Sequence, residues 1–154
     1  IGRVNVYPNI HTVVPNQVSF TLESRHKDPK VIEKVEKIIH SLPEESGGCF
    51  VRFEKLWSRE TVHFDETIVN TIETVCNDYG YSSRRMYSGA GHDAQFIASI
   101  IPTAMIFVPS VDGRSHCEEE FTSYEDCYKG ANVMLQTLLS LHEHYKAKYS
   151  SASK

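Results

Sequence analysis

At 154 residues with a formal charge of −4, the chain suffices for one ordinary domain or for pieces of two. Its charges are mixed and form no basic stripe, which argues against a nucleic-acid partner. No apolar run approaches the ~20 residues that span a bilayer, which argues against a membrane-spanning role.

The sequence opens on strand-like residues, with neither a signal-peptide pattern nor an initiator methionine, so an excised or truncated product is expected. The four cysteines, Cys49, Cys76, Cys117 and Cys127, form no C-x-x-C pair. They are expected to be reduced thiols in a cytoplasmic protein.

Residues Gly2 to Tyr7 and Gln17 to Arg25 alternate apolar and polar, the mark of strands with one wet face, and are expected to pair antiparallel. Pro8 to Asn16 between them is too long for a tight hairpin and carries two prolines, so a shaped loop is expected. Asp28-Pro29 then opens a helix, with an aspartate to cap free amides and a proline suited to the first position. Val31, Ile32, Val35, Ile38, Ile39 and Leu42 follow at helical spacing. Cys49 to Trp57 reads as a third strand. Strand, strand, helix, strand predicts an α+β layer that is incomplete, with a sheet face or edge uncovered.

The pattern changes between Ser58 and His63, where a domain crossing is placed. Asp65 caps a second helix bearing Ile68, Ile72, Val75 and Tyr79, and Gly80 ends it. A short strand is expected near Arg84 to Tyr87. Ser88 to His116 then reads as a glycine-rich turn, a short helix, an apolar strand over Thr103 to Val108, and a polar loop ending on a histidine. Such an apolar run suits a strand covered on both faces. Ligands gather where loops leave the carboxyl ends of such strands, so His116 is expected at a site. Ser123-x-x-Asp126 resembles a capping box. The helix after it should bury Cys127, Ala131, Met134, Leu135, Leu138, Leu139 and Leu141, and its tail from Tyr145 should fray.

SGAGHDAQ, then PTAMIFVPS, then G-R-S-H resembles the C-terminal part of the metal-dependent amidohydrolases that cleave N-carbamoyl groups. That family includes allantoate amidohydrolase, N-carbamoyl-L-amino-acid hydrolase and β-ureidopropionase. The resemblance runs from Gly2 to about Tyr145. It implies an α/β fold made of two pieces. Residues 1–60 would be the second half of an α+β, ferredoxin-like lid that forms a homodimer. Residues 61–154 would be the C-terminal part of a mixed-sheet, metallopeptidase-like catalytic domain.

The resemblance also assigns residues. His116 would bind one of two divalent ions (zinc or manganese). Arg25, closing F-T-L-x-x-R, would bind the carboxylate of a small-molecule substrate, a task that suits a planar guanidinium able to make two parallel charge-assisted bonds. Thr12 stands where the family carries a substrate-binding asparagine, and offers one hydroxyl where an amide both donates and accepts. Asn16 replaces a family glycine, which asparagine's tolerance of left-handed angles makes mild. Gly91 would bring a backbone amide to the substrate, and His92 would line the pocket. Asp93 is expected in a capping or structural role at the start of the short helix. By the same resemblance the other metal ligands and the general base belong to the family's N-terminal half, so no catalytic base is expected in this chain. No ion would be fully bound by it, and it would be inactive alone. A non-catalytic binding or dimerisation module derived from the family, or a related metallopeptidase, is the alternative.

Several pairs imitate metal motifs. His26-x-Asp28 and His63-x-Asp65 are better explained by helix caps, and Glu44-Glu45 by a solvated turn. His142 and His144 fall on different helix faces. Cys117 sits beside His116, and adjacent side chains rarely converge on one ion.

Overall fold

The computed structural model describes residues 1–152. The chain divides into two compact units, Ile1–Thr61 and Val62–Lys154.

In the first unit, β1 (Val4–Tyr7) and β2 (Gln17–Phe20) pair antiparallel, with Val4 opposite Phe20 and Val6 opposite Val18. Two further backbone bonds, Gly2 N–H to Thr21 O and Thr21 N–H to Arg3 O, continue the hairpin past its open end. Helix α1 (Pro29–His40) starts as its sequence dictates. Asp28 Oδ1 accepts from Lys30 N–H at 2.9 Å, and proline holds the first position. His26 Nδ1 accepts from Asp28 N–H at 2.9 Å, so the first H-x-D pair organises a helix start. Ile32, Val35 and Ile39 are half-buried, while Val31, Ile38 and Leu42 stay exposed.

The third strand departs from expectation. Instead of running from Cys49 to Trp57, it is the two-residue β4 (Cys49–Phe50), paired with β3 (Glu45–Ser46) in a separate sheet. Gly47 and Gly48 both take positive φ, 58° and 76°. That is the backbone of a tight two-residue hairpin turn, and it turns the strand onto its immediate predecessor. Lys55 pairs with Glu36 and ties the following segment to α1. No side chain of this unit is fully buried, and Phe50 is 90% exposed.

The second unit holds the core. Helix α2 (Glu66–Asp78) is capped by Asp65, whose Oδ1 accepts from Ile68 N–H at 3.0 Å. It ends in a Schellman motif: Gly80 has φ 67°, Gly80 N–H bonds Asn77 O, and Tyr81 N–H bonds Cys76 O. A single turn, α3 (Ala94–Ile97), follows. The long α4 (Tyr124–Ala152) starts from the Ser123–Asp126 pair, which forms one half of the predicted capping box, its second bond running between the two side chains. Asp126 N–H donates to Ser123 Oγ at 3.1 Å, and Ser123 Oγ donates to Asp126 Oδ2 at 2.6 Å. Helix α4 continues past Tyr145 rather than fraying there; the last two residues of the expected tail lie outside the described residues.

Val75 and Cys76 of α2 pack against Val133 of α4, with Ile72, Tyr81 and Ile106 around them. The buried side of α4 is therefore not the predicted one. Val133 and Thr137 are each 4% exposed, whereas Met134, Leu135, Leu138 and Leu139 are more than half exposed. Apolar spacing located a stripe on the helix, but the position of α2 selected a neighbouring face. That face includes Gly130, where an added Cβ would lie 2.4 Å from Val108 Cγ1.

Two predicted strands are also corrected. Neither Arg84 to Tyr87 nor Thr103 to Val108 forms a ladder. Thr103 to Ile106 is half-buried, and Thr103 O receives Asp65 N–H at 2.9 Å. Apolar sequence supplies the burial; a strand also needs a neighbour, and no described segment pairs with this run. Among the described residues, no helix is long and apolar enough to cross a membrane.

Candidate functional site

In the second unit the site residues sit on two loops, before α3 and before α4. The first is SGAGHDAQ. Ser88 is half-buried, and its Oγ lies 3.1 Å from Ala90 N, 3.2 Å from Ala90 O and 3.0 Å from His92 Nε2. Gln95 Nε2 donates to the same Ala90 carbonyl at 3.3 Å. The half-buried His92 ring stands edge-on to Phe107, with centroids 5.5 Å apart. Gly91, between Ala90 and His92, is exposed and has open space where a Cβ would go. Asp93 makes no side-chain cap. Its backbone is already helical, and its carbonyl receives Phe96 and Ile97 N–H instead. Of the two expected roles the capping one is thus corrected, because a side chain caps from an extended backbone.

The second loop, Ser110 to Phe121, is closed at its neck. Val111 N–H donates to Phe121 O at 2.8 Å, and Ser110 Oγ donates to Arg114 O at 2.7 Å. A loop of this size with its ends tied is a compact Ω-like unit. Asp112, Gly113 and His116 all take positive φ, 55°, 66° and 60°. For a non-glycine residue each such conformation costs on the order of 1–3 kcal/mol, so the loop's tight closure sustains it. Glu120 helps: its Oε2 accepts His116 N–H at 2.8 Å. The His116 side chain is exposed on this loop. Arg114 lies near Asp112 and Glu119, at 3.9 and 4.0 Å, which places both charges around the same turn.

In the first unit, Thr12 occupies the loop between β1 and β2. A cis Tyr7–Pro8 bond opens that loop, Val13 N–H bonds Ile10 O across a turn, and Asn16 N–H bonds Tyr7 O at 3.0 Å. Thr12 is the third residue of that turn and is exposed. The left-handed asparagine is Asn9, at φ 56°, and not Asn16. Asn16 closes the loop through its N–H and its φ lies outside the left-handed region, so its replacement of glycine makes no demand on φ. Arg25 is exposed beyond β2, and its guanidinium meets the Glu23 carboxylate at 2.8 Å.

Among the described residues, no group of three or more His, Cys, Asp or Glu side chains is placed to hold a metal ion. His116 is one imidazole, and a resident ion needs about three protein ligands. The residues present do not by themselves fit a metal. The decoy pairs keep structural roles: Asp28 and Asp65 cap helices, and Glu45 lies in the β3–β4 hairpin. Sequence reasoning overlooked Ser88 and Gln95, although the S-x-A-x-H-x-x-Q spacing, with polar side chains around one tight turn, was the available signal. It also overlooked Glu120 as the partner of the His116 backbone.

The fold is that of a known class. Residues 7–140 match peptidase family M20/M25/M40, and the chain belongs to that family. Within it, the chain is 34% identical over 146 residues to the allantoate amidohydrolase of Escherichia coli, covering 91% of this chain and 35% of that protein. It is 30% identical over 145 residues to an N-carbamoyl-L-amino-acid amidohydrolase of Paenarthrobacter aurescens, covering 92% and 35%. A crystal structure of an amidase of the hydantoinase/carbamoylase family from Burkholderia vietnamiensis superposes with a TM-score of 0.76 at 35% identity, covering 90% of this chain and 34% of that one. The chain thus spans about a third of the length of the relatives it matches.

Proposed function

We propose that this chain is one part of an amidohydrolase that cleaves the carbamoyl or ureido C–N bond of allantoate or an N-carbamoyl amino acid. The observation that carries the reading is co-linear similarity over nine-tenths of the chain to relatives bearing those names. Residues 1–60 act as the second half of a ferredoxin-like lid and residues 61–154 as the C-terminal part of the catalytic domain. His116 contributes one ligand to a divalent-metal site that other segments complete, and the chain by itself is inactive. Displaying an imidazole on a closed loop at a cost in backbone strain supports this role, since such strain collects at functional sites.

Arg25 binds the substrate carboxylate. Its exposed guanidinium already meets one carboxylate, that of Glu23, and a substrate would take that place by exchange. Bonds of this charge-assisted kind contribute about 1.5–3 kcal/mol each. Gly91 and His92 border the substrate, and Thr12 supplies a hydroxyl where an amide would reach further. The protein works in the cytoplasm and as a homodimer through the lid; the exposed Val4, Val18, Phe20 and Leu22 of the first unit support the dimer.

The experiment is to load the intact protein with zinc or manganese and assay allantoate, N-carbamoyl amino acids and ureidopropionate. Turnover of one of them is expected. Arg25→Lys should raise KM for it with metal content unchanged, and His116→Ala should lower metal content. No turnover of any of the three would refute the proposal.

A further inference from the structure

The hydroxyl of Ser88 has three polar neighbours whose own chemistry dictates where its proton goes. Ala90 N–H can only donate, and it points at Oγ from 3.1 Å. Ala90 O can only accept, and it lies 3.2 Å from Oγ. His92 Nε2, at 3.0 Å, can do either, depending on the ring tautomer. A serine hydroxyl has one proton and two lone pairs. All three contacts become hydrogen bonds in one arrangement only. Oγ accepts from Ala90 N–H, gives its proton to Ala90 O, and accepts a second proton from His92 Nε2–H. Turning the Ser88 proton toward Nε2 instead would leave two oxygens 3.2 Å apart with no hydrogen between them.

We propose that Ser88 is a positioning residue that holds His92 as the Nε2–H tautomer, leaving Nδ1 as the ring's acceptor. Phe107 fixes the ring from another side by its edge-on contact. Gln95, donating to Ala90 O, anchors the peptide that Ser88 grips. One hydroxyl therefore sets both the turn leading into Gly91 and the protonation pattern of the histidine after it. A ring in this form offers a ligand a lone pair at Nδ1 and no proton there, so it suits an N–H donor such as a ureido nitrogen. That last consequence rests on the reading of His92 as a pocket residue; the tautomer does not.

The test is 15N spectroscopy of histidine-labelled intact protein at a pH where the imidazole is neutral, with His92 assigned by the signal lost in His92→Gln. Wild-type His92 should carry its proton on Nε2. In Ser88→Ala the two ring-nitrogen shifts should move toward each other as the tautomers mix, and Ser88→Thr, which keeps a hydroxyl, should restore the wild-type pattern. A wild-type Nδ1–H ring overturns the proposal even if Ser88→Ala does not fold, as does a Ser88→Ala spectrum equal to wild type. In the assay, loss of this one bond should raise KM by up to about tenfold with kcat nearly unchanged. A shifted tautomer with an unaltered KM would uphold the role of Ser88 and refute that of His92 in the pocket.

Discussion

Gly130→Ala sets two effects of opposite sign against each other. Glycine within a helix is disfavoured by about 0.8–1.0 kcal/mol relative to alanine, so on an open helix face the change would stabilise. At this position the new Cβ would lie 2.4 Å from Val108 Cγ1, more than ~1 Å inside the ordinary carbon–carbon contact of about 3.5–4.0 Å. Valine is stiff at χ1, so Val108 or α4 must shift, and overpacking of this kind costs about 1–3 kcal/mol. The net expectation is a loss of about 1 kcal/mol. Urea unfolding should show it as a midpoint lower by roughly 0.3–1 M, for slopes of about 1–3 kcal/mol/M. The companion Val108→Ala removes the obstructing methyl and leaves only an ordinary contact, at 3.9 Å, between Cβ atoms. On that background Gly130→Ala should stabilise by about 1 kcal/mol. The change of sign is the diagnostic result, a coupling of about 2 kcal/mol, within the range for touching residues. If Gly130→Ala stabilises in the presence of Val108, the close approach of α4 to this segment is wrong.

Other changes have separate causes. Thr137 is 4% exposed and its Oγ1 has no hydrogen-bond partner among the described residues, so Thr137→Val should stabilise by about 1 kcal/mol in thermal or urea unfolding; a clear loss would mean the hydroxyl is bonded. Asp65→Ala should cost about 1 kcal/mol by freeing Ile68 N–H, and Asp65→Asn should recover most of it. The hydrogen bond and charge of Lys55 hold the Glu36 carboxyl below its usual 4.5. Because the folded-state value is depressed, this contribution is present above pH 4.5 and disappears as pH falls through the lowered value. The Tm difference between wild type and Lys55→Met should follow that course and shrink in salt, since both groups are exposed; a difference independent of pH would refute it.

The sequence by itself determined the features encoded within a few residues. Asp28, Pro29, Asp65, Gly80 and the Ser123–Asp126 pair mark helix boundaries because each satisfies, or dispenses with, a backbone group one turn away. The loop motifs around His92 and His116 were legible for the same reason, as was their likeness to the family that the chain proves to belong to. The tertiary structure alone decided which face of α4 is buried. Helical spacing locates apolar residues relative to one another, and only the placement of α2 beside Val133 and Thr137 chose among the faces. It also decided the fate of the apolar runs at Cys49 and Thr103. A strand needs a partner's backbone, so one run folded back through Gly47 and Gly48 and the other took none among the described residues. The three contacts of the Ser88 hydroxyl belong with these decisions: residue types name the possible bonds, and only the closing of the turn selects those that form.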